Sequence, residues 1–182
     1  RCDATPAGEA QREALRKAID AKVYEFDCHG VEMNQRYTSG AVVSDGSTAP
    51  VNDNMELYYH PTTTPGARLP HAWVYDRNGT KYSTLDLCGK GQFTLITGIG
   101  GEAWVKAAEA AAKALNLPVR AITIGPRADY EDHVGDWHKV RDIKDGGCLL
   151  VRPDQHVAWR SQTASATATA DLTRTLCAIL GH

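Results

Sequence analysis

The stretch Phe93-Thr94-Leu95-Ile96-Thr97-Gly98-Ile99-Gly100-Gly101 opens the most regular part of the sequence. Its first five residues form a short apolar run that ends at glycine, as buried strands do. In residues 104–115, small and apolar side chains then recur with the spacing of one helix face, and residues 119–124 form a second apolar run after Pro118. The pattern predicts a strand, a helix and a second strand parallel to the first, joined by a right-handed crossover.

A small hairpin is predicted immediately before this crossover. Residues 73–75 and 81–83 have strand composition, and they flank the turn sequence Asp76-Arg77-Asn78-Gly79. Residues 84–89 then predict one helical turn that leads into the central strand.

A second hairpin and a final helix are predicted after the crossover, beyond a short irregular or helical piece. Residues 148–151 and 156–159 flank Arg152-Pro153-Asp154-Gln155, in which proline takes the second position of a type I turn. Thr169 is predicted to cap a last helix, which Gly181 ends. This order of elements predicts an α/β fold with a central mixed four-stranded sheet, helices on both faces and an N-terminal hairpin. It resembles the thioredoxin-like fold in its peroxiredoxin-type form.

The first third of the chain is less regular. Thr5 as N-cap and Pro6 at the first helical position predict a helix that runs to about Lys22. Residues 41–43 are a short strand candidate. Residues 47–66 are rich in Pro, Thr, Asn and Ser, which predicts an irregular linker.

Composition excludes several classes of partner. The 182 residues carry 20 Lys and Arg against 22 Asp and Glu, and this net charge of −2 gives no electrostatic footprint for nucleic acid. No apolar run is long enough to cross a membrane, and no signal peptide is evident. The cysteines are odd in number, lack any C-x-x-C spacing and predict reduced thiols in a cytoplasmic protein; they are Cys2, Cys28, Cys88, Cys148 and Cys177. The start of the chain reads like the middle of a longer polypeptide.

The turn at residues 98–103 is where redox enzymes of this fold hold a thiolate, because the amino end of a helix stabilises an anion. Here the turn contains no cysteine, and Glu102 would disfavour a thiolate beside it. Redox enzymes of this fold also place a proline before the third strand, and Lys144-Asp145-Gly146-Gly147 stands there instead. Dithiol or peroxidase chemistry is therefore not favoured.

The same turn matches the dinucleotide fingerprint G-x-G-x-x-A through Gly98, Gly100 and Ala103. The second strand ends in Gly125-Pro126 without a carboxylate for a ribose, although Arg127 is available for a 2′-phosphate. Two interpretations stay open: a nucleotide-binding turn, or glycines required for a tight turn and close helix packing.

No other group of residues predicts a catalytic or metal site. His133 and His138 lie close in sequence to Asp132 and Asp136, but the i,i+4 histidine spacing or cysteine pair typical of zinc sites is missing. We therefore assign no catalytic, cofactor-binding or metal-binding residue to this chain.

Several stretches, taken together, resemble the C-terminal region of FAD-dependent aromatic hydroxylases of the phenol hydroxylase and 2,4-dichlorophenol 6-monooxygenase type. The resemblance covers nearly the whole chain, and none of its pieces is a catalytic motif. The stretches are residues 24–26, 30–37, 65–73, 83–87, 93–104 and 148–160.

The resemblance implies that residues 1–46 are the C-terminal end of the catalytic domain and that residues 47–64 form a linker. Residues 65–182 would form a thioredoxin-like domain without redox cysteines. It implies a non-catalytic role in packing against the enzyme's own N-terminal FAD domain and in a homodimer. The complete enzyme would use FAD, NAD(P)H and O2 to hydroxylate an aromatic ring bound by the part outside this chain, while this chain holds no cofactor. Arg68 and His71, at the start of the fold, are candidates for contacts with the catalytic domain. The alternative is a free-standing thioredoxin- or peroxiredoxin-like redox protein, or a nucleotide binder that uses the Gly98–Ala103 turn.

Overall fold

A computed structural model describes residues 3–48 and 50–182, so the prediction for Cys2 lies outside the described residues. Contacts divide the chain into two compact units. The first unit runs up to Asn34 and also contains Val51–His60, and the second unit comprises Gln35–Pro50 and Pro61–His182.

The first unit is helical. Helix α1 spans Pro6–Asp20, and the side chain of its N-cap, Thr5, accepts a hydrogen bond from the Gly8 N–H at 3.2 Å. The helix predicted from Thr5 and Pro6 is thus confirmed. Two short helices follow, α2 at Val23–Phe26 and α3 at His29–Met33.

The second unit contains all the strands found in the described residues. Its elements, in chain order, are β1 (Trp73–Asp76), β2 (Lys81–Ser83), α4 (Thr84–Leu87), β3 (Phe93–Thr97), α5 (Glu102–Leu115), β4 (Val119–Thr123), β5 (Tyr130–Glu131), α6 (Asp136–Val140), β6 (Cys148–Val151), β7 (Val157–Ser161) and α7 (Ala168–Leu180).

The central sheet has four strands in the order β4-β3-β6-β7. The pair β3 and β4 is parallel, whereas β6 is antiparallel to both β3 and β7. The predicted mixed four-stranded sheet and its crossover helix are therefore confirmed. A smaller antiparallel sheet, β2-β1-β5, contains the predicted first hairpin.

Both faces of the central sheet are covered. On one face α5 packs on α7, and Trp104, Leu95 and Leu172 are part of the buried core there. The core on the other face includes Val74 of β1 and Trp137 of α6. Burial on both faces explains why β3 reads as a continuous apolar run instead of an alternating one.

Two local predictions are wrong. Residues 41–43 do not form a strand, because their backbone makes one hydrogen bond to the sheet, from Val43 N–H to Ala158 C=O at 2.8 Å, and no ladder. The last helix begins at Ala168, so that its N-cap is Thr167 and not Thr169. The Asp171 carboxylate accepts a hydrogen bond from the Thr167 hydroxyl at 2.9 Å and fixes this earlier start.

The Thr-rich end of the predicted linker lies in the second unit. Thr62, Thr63 and Thr64 are all buried, although they form no helix or strand. The boundaries predicted at residues 46 and 64 concern the parts of a longer enzyme and stay a prediction. No helix among the described residues is both long and apolar enough to cross a membrane.

Candidate functional site

The turn between β3 and α5 is formed by glycines that allow close backbone packing. A Cβ atom added at Gly101 would lie 1.8 Å from Thr97 Oγ1, and one added at Gly98 would lie 3.0 Å from the Ile124 carbonyl oxygen. Gly100 has a φ of +76°, which side-chain-bearing residues rarely adopt. Each of these glycines is therefore needed for the backbone conformation or the close packing of the turn. This agrees with the interpretation that the glycines serve a tight turn and close helix packing.

The loop opposite this turn is bound to it by three hydrogen bonds. Gly146 N–H donates to the Ile99 carbonyl at 2.6 Å, and the Trp104 indole donates to the Gly146 carbonyl at 2.9 Å. The Thr97 hydroxyl donates to the Gly147 carbonyl at 2.8 Å. The Gly146 N–H and the carbonyls of Gly146 and Gly147 are therefore all bonded within the protein.

Two thiols of the second unit, those of Cys88 and Cys148, are not poised for chemistry. Burial raises the pKa of Cys88 to about 12, and burial also raises the pKa of Cys148, so both thiols are protonated at neutral pH. Cys28 and Cys177 are half-buried, and no disulfide joins cysteines within the described residues. Neither the turn nor the thiols therefore supports the redox alternative.

A cavity of about 380 Å³ lies beside the same turn, past the carboxyl ends of β3 and β4. Ile99 follows β3, and the segment of Ile124, Gly125 and Pro126 follows β4. The other lining residues are Glu131, Asp132, His133, Gly135, Trp137, His138, Arg141 and Asp145.

Most polar groups in this cavity wall have partners. The His133 ring stacks on Tyr75, with centroids 4.7 Å apart, and His133 Nε2 lies 3.2 Å from Glu131 Oε2. A hydrogen bond from the Arg127 N–H, and then one from His133, lower the pKa of Glu131. Arg141 pairs with Asp145 at 2.8 Å.

The histidines and acids of this region do not converge on one point. Asp132 Oδ2 accepts a hydrogen bond from the His138 backbone N–H at 2.9 Å, so Asp132 contacts the histidine's main chain and not its ring. In the part of the chain that the structure describes, no three His, Cys, Asp or Glu side chains could hold a metal ion.

Arg68 and His71, the candidates for contacts with the catalytic domain, both make local contacts in the structure. Arg68 is half-buried, and its Nη2 lies 3.5 Å from Gln155 Oε1. His71 is exposed; its Nδ1 lies 2.7 Å from the hydroxyl of Ser83, the N-cap of α4, and its ring contacts Trp73 edge-on. Their contact with a catalytic domain stays a prediction.

A buried arginine, Arg160, organises a network that sequence reasoning missed. Its side chain is 6% exposed and is ion-paired to Asp45, which is 10% exposed. Arg160 Nη2 donates to Ser47 Oγ at 2.9 Å, and Nη1 donates to Thr63 Oγ1 at 3.2 Å. We call these four residues the Arg160 clasp. The available signal was an arginine inside the apolar strand pattern near Trp159.

Comparison with known proteins places this architecture in a family. Residues 62–182 match the family model described as "Aromatic-ring hydroxylase, C-terminal". The 2,4-dichlorophenol 6-monooxygenase of Cupriavidus pinatubonensis is 49% identical over 97% of this chain. The chain spans about 30% of the length of that relative.

Solved structures agree with this assignment. The flavin-dependent monooxygenase PieE, in a complex with FAD and substrate, is 40% identical and superposes with a TM-score of 0.88 over 99% of this chain and 31% of its own. A thioredoxin-like protein from Porphyromonas gingivalis, 12% identical, has a TM-score of 0.50 over 63% of this chain and 94% of its own, a likeness of fold alone.

The chain therefore belongs to the family of aromatic-ring hydroxylases, as part of their C-terminal region. The resemblance to the 2,4-dichlorophenol 6-monooxygenase type, predicted from the sequence, is confirmed.

Proposed function

We propose that this chain is the non-catalytic C-terminal part of a flavin-dependent monooxygenase that hydroxylates a phenol-type ring. Residues 65–182 form a thioredoxin-like domain without redox function. The complete enzyme uses FAD, NAD(P)H and O2, and the part outside this chain binds the flavin and the aromatic substrate. This chain packs against the flavin domain and contributes to a homodimer. The cytoplasmic location predicted from the cysteines belongs to the same proposal.

One observation carries the proposal: the first unit has no apolar core of its own. Of its described residues, Gly8 and Gly30 alone are buried. Large apolar side chains stay exposed instead, including Phe26 at 75%, Val51 at 88% and Ile19 at 60%. A soluble protein seldom exposes so much apolar surface unless a partner covers it. Because the chain spans about 30% of its relative, the remaining part of the enzyme is the natural partner.

Flavin binding tests the proposal that the part of the enzyme outside this chain binds FAD. We expect the isolated 182-residue chain to leave the absorbance spectrum of added FAD unchanged. A complex with a micromolar or smaller dissociation constant would contradict the proposal. Sequencing upstream of Arg1 supplies an independent check, because a strand followed by G-x-G-x-x-G is the expected flavin-binding start of the enzyme.

Packing against the flavin domain is tested in the complete enzyme. We expect Phe26→Asp to lower the thermal midpoint and loosen the flavin, because a carboxylate in an apolar interface must be desolvated. Lys17→Asp, on the exposed face of α1, is the control. If both variants keep wild-type flavin content and midpoint, the first unit does not pack there.

Sedimentation of the complete enzyme tests the homodimer, and a monomer at micromolar concentration would contradict it.

A further inference from the structure

Two aliphatic side chains of the second unit are largely exposed to solvent. Ile99 is 57% exposed and Val134 is 60% exposed, the two highest values among the large apolar side chains that the structure describes in this unit. The next highest value is 45%, for Tyr37. Single exposed apolar residues are normal in proteins, so the position of these two decides what they indicate.

Both residues border the cavity of about 380 Å³ beside the β3–α5 turn. Ile99 lines this cavity, and Val134 lies in the chain between two other lining residues, His133 and Gly135. The two most exposed aliphatic side chains of the unit therefore occur at one place, and that place is concave. Pockets that receive an apolar group from a partner have this form.

The base of the cavity is apolar as well. Ile124 and Trp137 line it although each is only 3% exposed, so they form its inner wall. Ile124 follows the parallel strand β4, and Trp137 belongs to α6. Elements that pack in the core of the unit thus hold this wall in place.

The turn that carries Ile99 is also fixed. The Ile99 carbonyl accepts a hydrogen bond from the Gly146 N–H at 2.6 Å. Its side chain lies over Gly125, where an added Cβ would be 3.4 Å from Ile99 Cγ1. A side chain that is held in this way loses little conformational freedom when a partner covers it. Ile99 is therefore pre-organised for contact.

Charged side chains around this apolar centre are mostly paired already. His133 Nε2 lies 3.2 Å from Glu131 Oε2, and Arg141 pairs with Asp145 at 2.8 Å. Protein interfaces have the same arrangement, an apolar core inside a polar rim. A protein segment can therefore cover the centre without separating these pairs.

The size of the surface and the length of the enzyme indicate which segment covers it. The chain spans about 30% of the Cupriavidus pinatubonensis relative and 31% of PieE, so under the function proposed above most of the enzyme lies outside it. Two aliphatic side chains and one cavity are a small surface beside the roughly 800 Å² per partner that holds separate proteins together. A part of the same polypeptide needs less area, because the covalent link keeps it at a high effective concentration.

We propose that the cavity, with the exposed side chains of Ile99 and Val134, is a docking site for an apolar side chain from the flavin-binding part of the same polypeptide. The inference rests on the proposed function and adds a contact on the second unit to the contact proposed for the first. The turn that holds a thiolate in redox enzymes of this fold serves here as a contact surface.

Thiol alkylation in the complete enzyme tests whether the site is covered. We expect Val134→Cys to react with iodoacetamide at least about tenfold more slowly than Glu109→Cys, because a covered thiol reacts only when the contact opens. Glu109 is an exposed position on α5 outside the cavity lining. Mass spectrometry of the peptide that carries each new cysteine separates it from the native thiols, and the two rates should become equal in concentrated urea. Equal rates in the folded enzyme would overturn the proposal.

Photo-crosslinking identifies the segment that covers the site. Ile99→Met keeps an apolar side chain of similar volume, and photo-methionine can take its place during expression of the complete enzyme. We expect the peptide of residue 99 to be joined to a peptide of the flavin-binding part, in a product with the mass of one polypeptide. Wild-type enzyme labelled in the same way is the control, because its residue 99 carries no photoreactive group.

Two results of the cross-linking would overturn the proposal. A product with the mass of two polypeptides would mean that a second copy covers the site, and no cross-link from residue 99 would mean that nothing does. If either occurs while Phe26→Asp has its expected effect, the docking site fails and the proposed function stands. Tight binding of FAD by the isolated chain would instead refute the proposed function.

Discussion

The two units of this chain use apolar residues in opposite ways. In the second unit, large side chains such as Trp104 and Leu150 are completely buried between the sheet and its helices. In the first unit, Phe26 and Val51 are among the most exposed large apolar residues that the structure describes, and the buried positions are glycines. Because burial of apolar area is the main stabilising term in folding, we expect the second unit to be stable by itself and the first to depend on a partner.

The largest expected contrast comes from truncating an aromatic side chain in each unit. Trp104→Ala should lower the free energy of unfolding by about 3–5 kcal/mol, because it leaves a cavity and removes the bond to Gly146. Phe26→Ala in the isolated chain should change it by less than about 0.5 kcal/mol. Urea unfolding followed by circular dichroism measures both values. A cost above ~2 kcal/mol for Phe26→Ala would mean that the first unit has a core after all.

The next effect comes from the Arg160 clasp. Arg160→Met leaves the Asp45 carboxylate without its cation in a site where it is 10% exposed, and we expect a loss of about 3 kcal/mol. Arg174→Met is the matched control, because Arg174 is 77% exposed and its pair with Asp171 should contribute less than about 1 kcal/mol. Hydrogen exchange at the Val43 amide, bonded to Ala158, should accelerate in the first variant and stay unchanged in the second.

A smaller and more local effect is expected at a glycine of the first unit. A Cβ at Gly30 would lie 1.9 Å from the Met55 carbonyl oxygen, so Gly30→Ala should destabilise that unit by about 1–3 kcal/mol. The Val31 amide, bonded to the Glu56 carbonyl, should then exchange faster, while the unfolding midpoint of the second unit stays the same. Gly40→Ala, which meets no atom within 4 Å, is the control. A shift of the global midpoint in Gly30→Ala would contradict independent stability.

The smallest effect concerns pH. Burial alone would raise the pKa of Asp45, but hydrogen bonds from Ser47 and Arg160 outweigh it, and the pKa lies below its ordinary value of 3.8. This contribution to stability is complete above the ordinary pKa and is lost as the pH falls through the lowered one. Asp45→Asn should therefore cost about 1–2 kcal/mol near neutral pH.

The same variant should cost progressively less below about pH 4, because the wild-type carboxylate is then being protonated as well. Urea midpoints measured from about pH 7 down to about pH 3 test this, with Glu109→Gln as a control that should follow wild type. A gap between Asp45→Asn and wild type that does not narrow in acid would contradict the assigned role of the Asp45 charge.

The sequence predicted those parts of the fold that depend on local patterns. The β3–α5–β4 crossover was predictable because glycine and proline bound two short apolar runs, and the start of α1 because Thr5 and Pro6 are strong helix-start signals. Residues 41–43 misled because β-branched composition indicates a strand only if a neighbouring strand accepts the whole ladder. The N-cap of α7 was predicted at Thr169, two residues too late, because Ser165 and Thr167 are both bonded to Asp171 and start the helix earlier.

The site was less predictable than the fold. The absence of cysteine from the turn at residues 98–103 could be read directly, but the bonds from the 144–147 loop to that turn join residues about 45 positions apart, beyond any local pattern. The enclosed oxygen of Asp132 and the Arg160 clasp likewise depend on tertiary contacts. Sequence proximity of His133, His138 and Asp132 indicated a polar region without indicating which atom lacks a partner.

The hydrogen bond from Gly146 to Ile99 also bears on how such a domain can change over evolutionary time. A mutation that introduced a cysteine at Gly98 would place a thiol near the amino end of α5, but the backbone edge of the 144–147 loop would stay bonded to the turn. Breaking the bond from Gly146 to Ile99 alone would expose the Gly146 amide, but no thiol would be present beside it. A gain of redox activity at this turn would therefore require two coordinated changes, neither of them useful by itself.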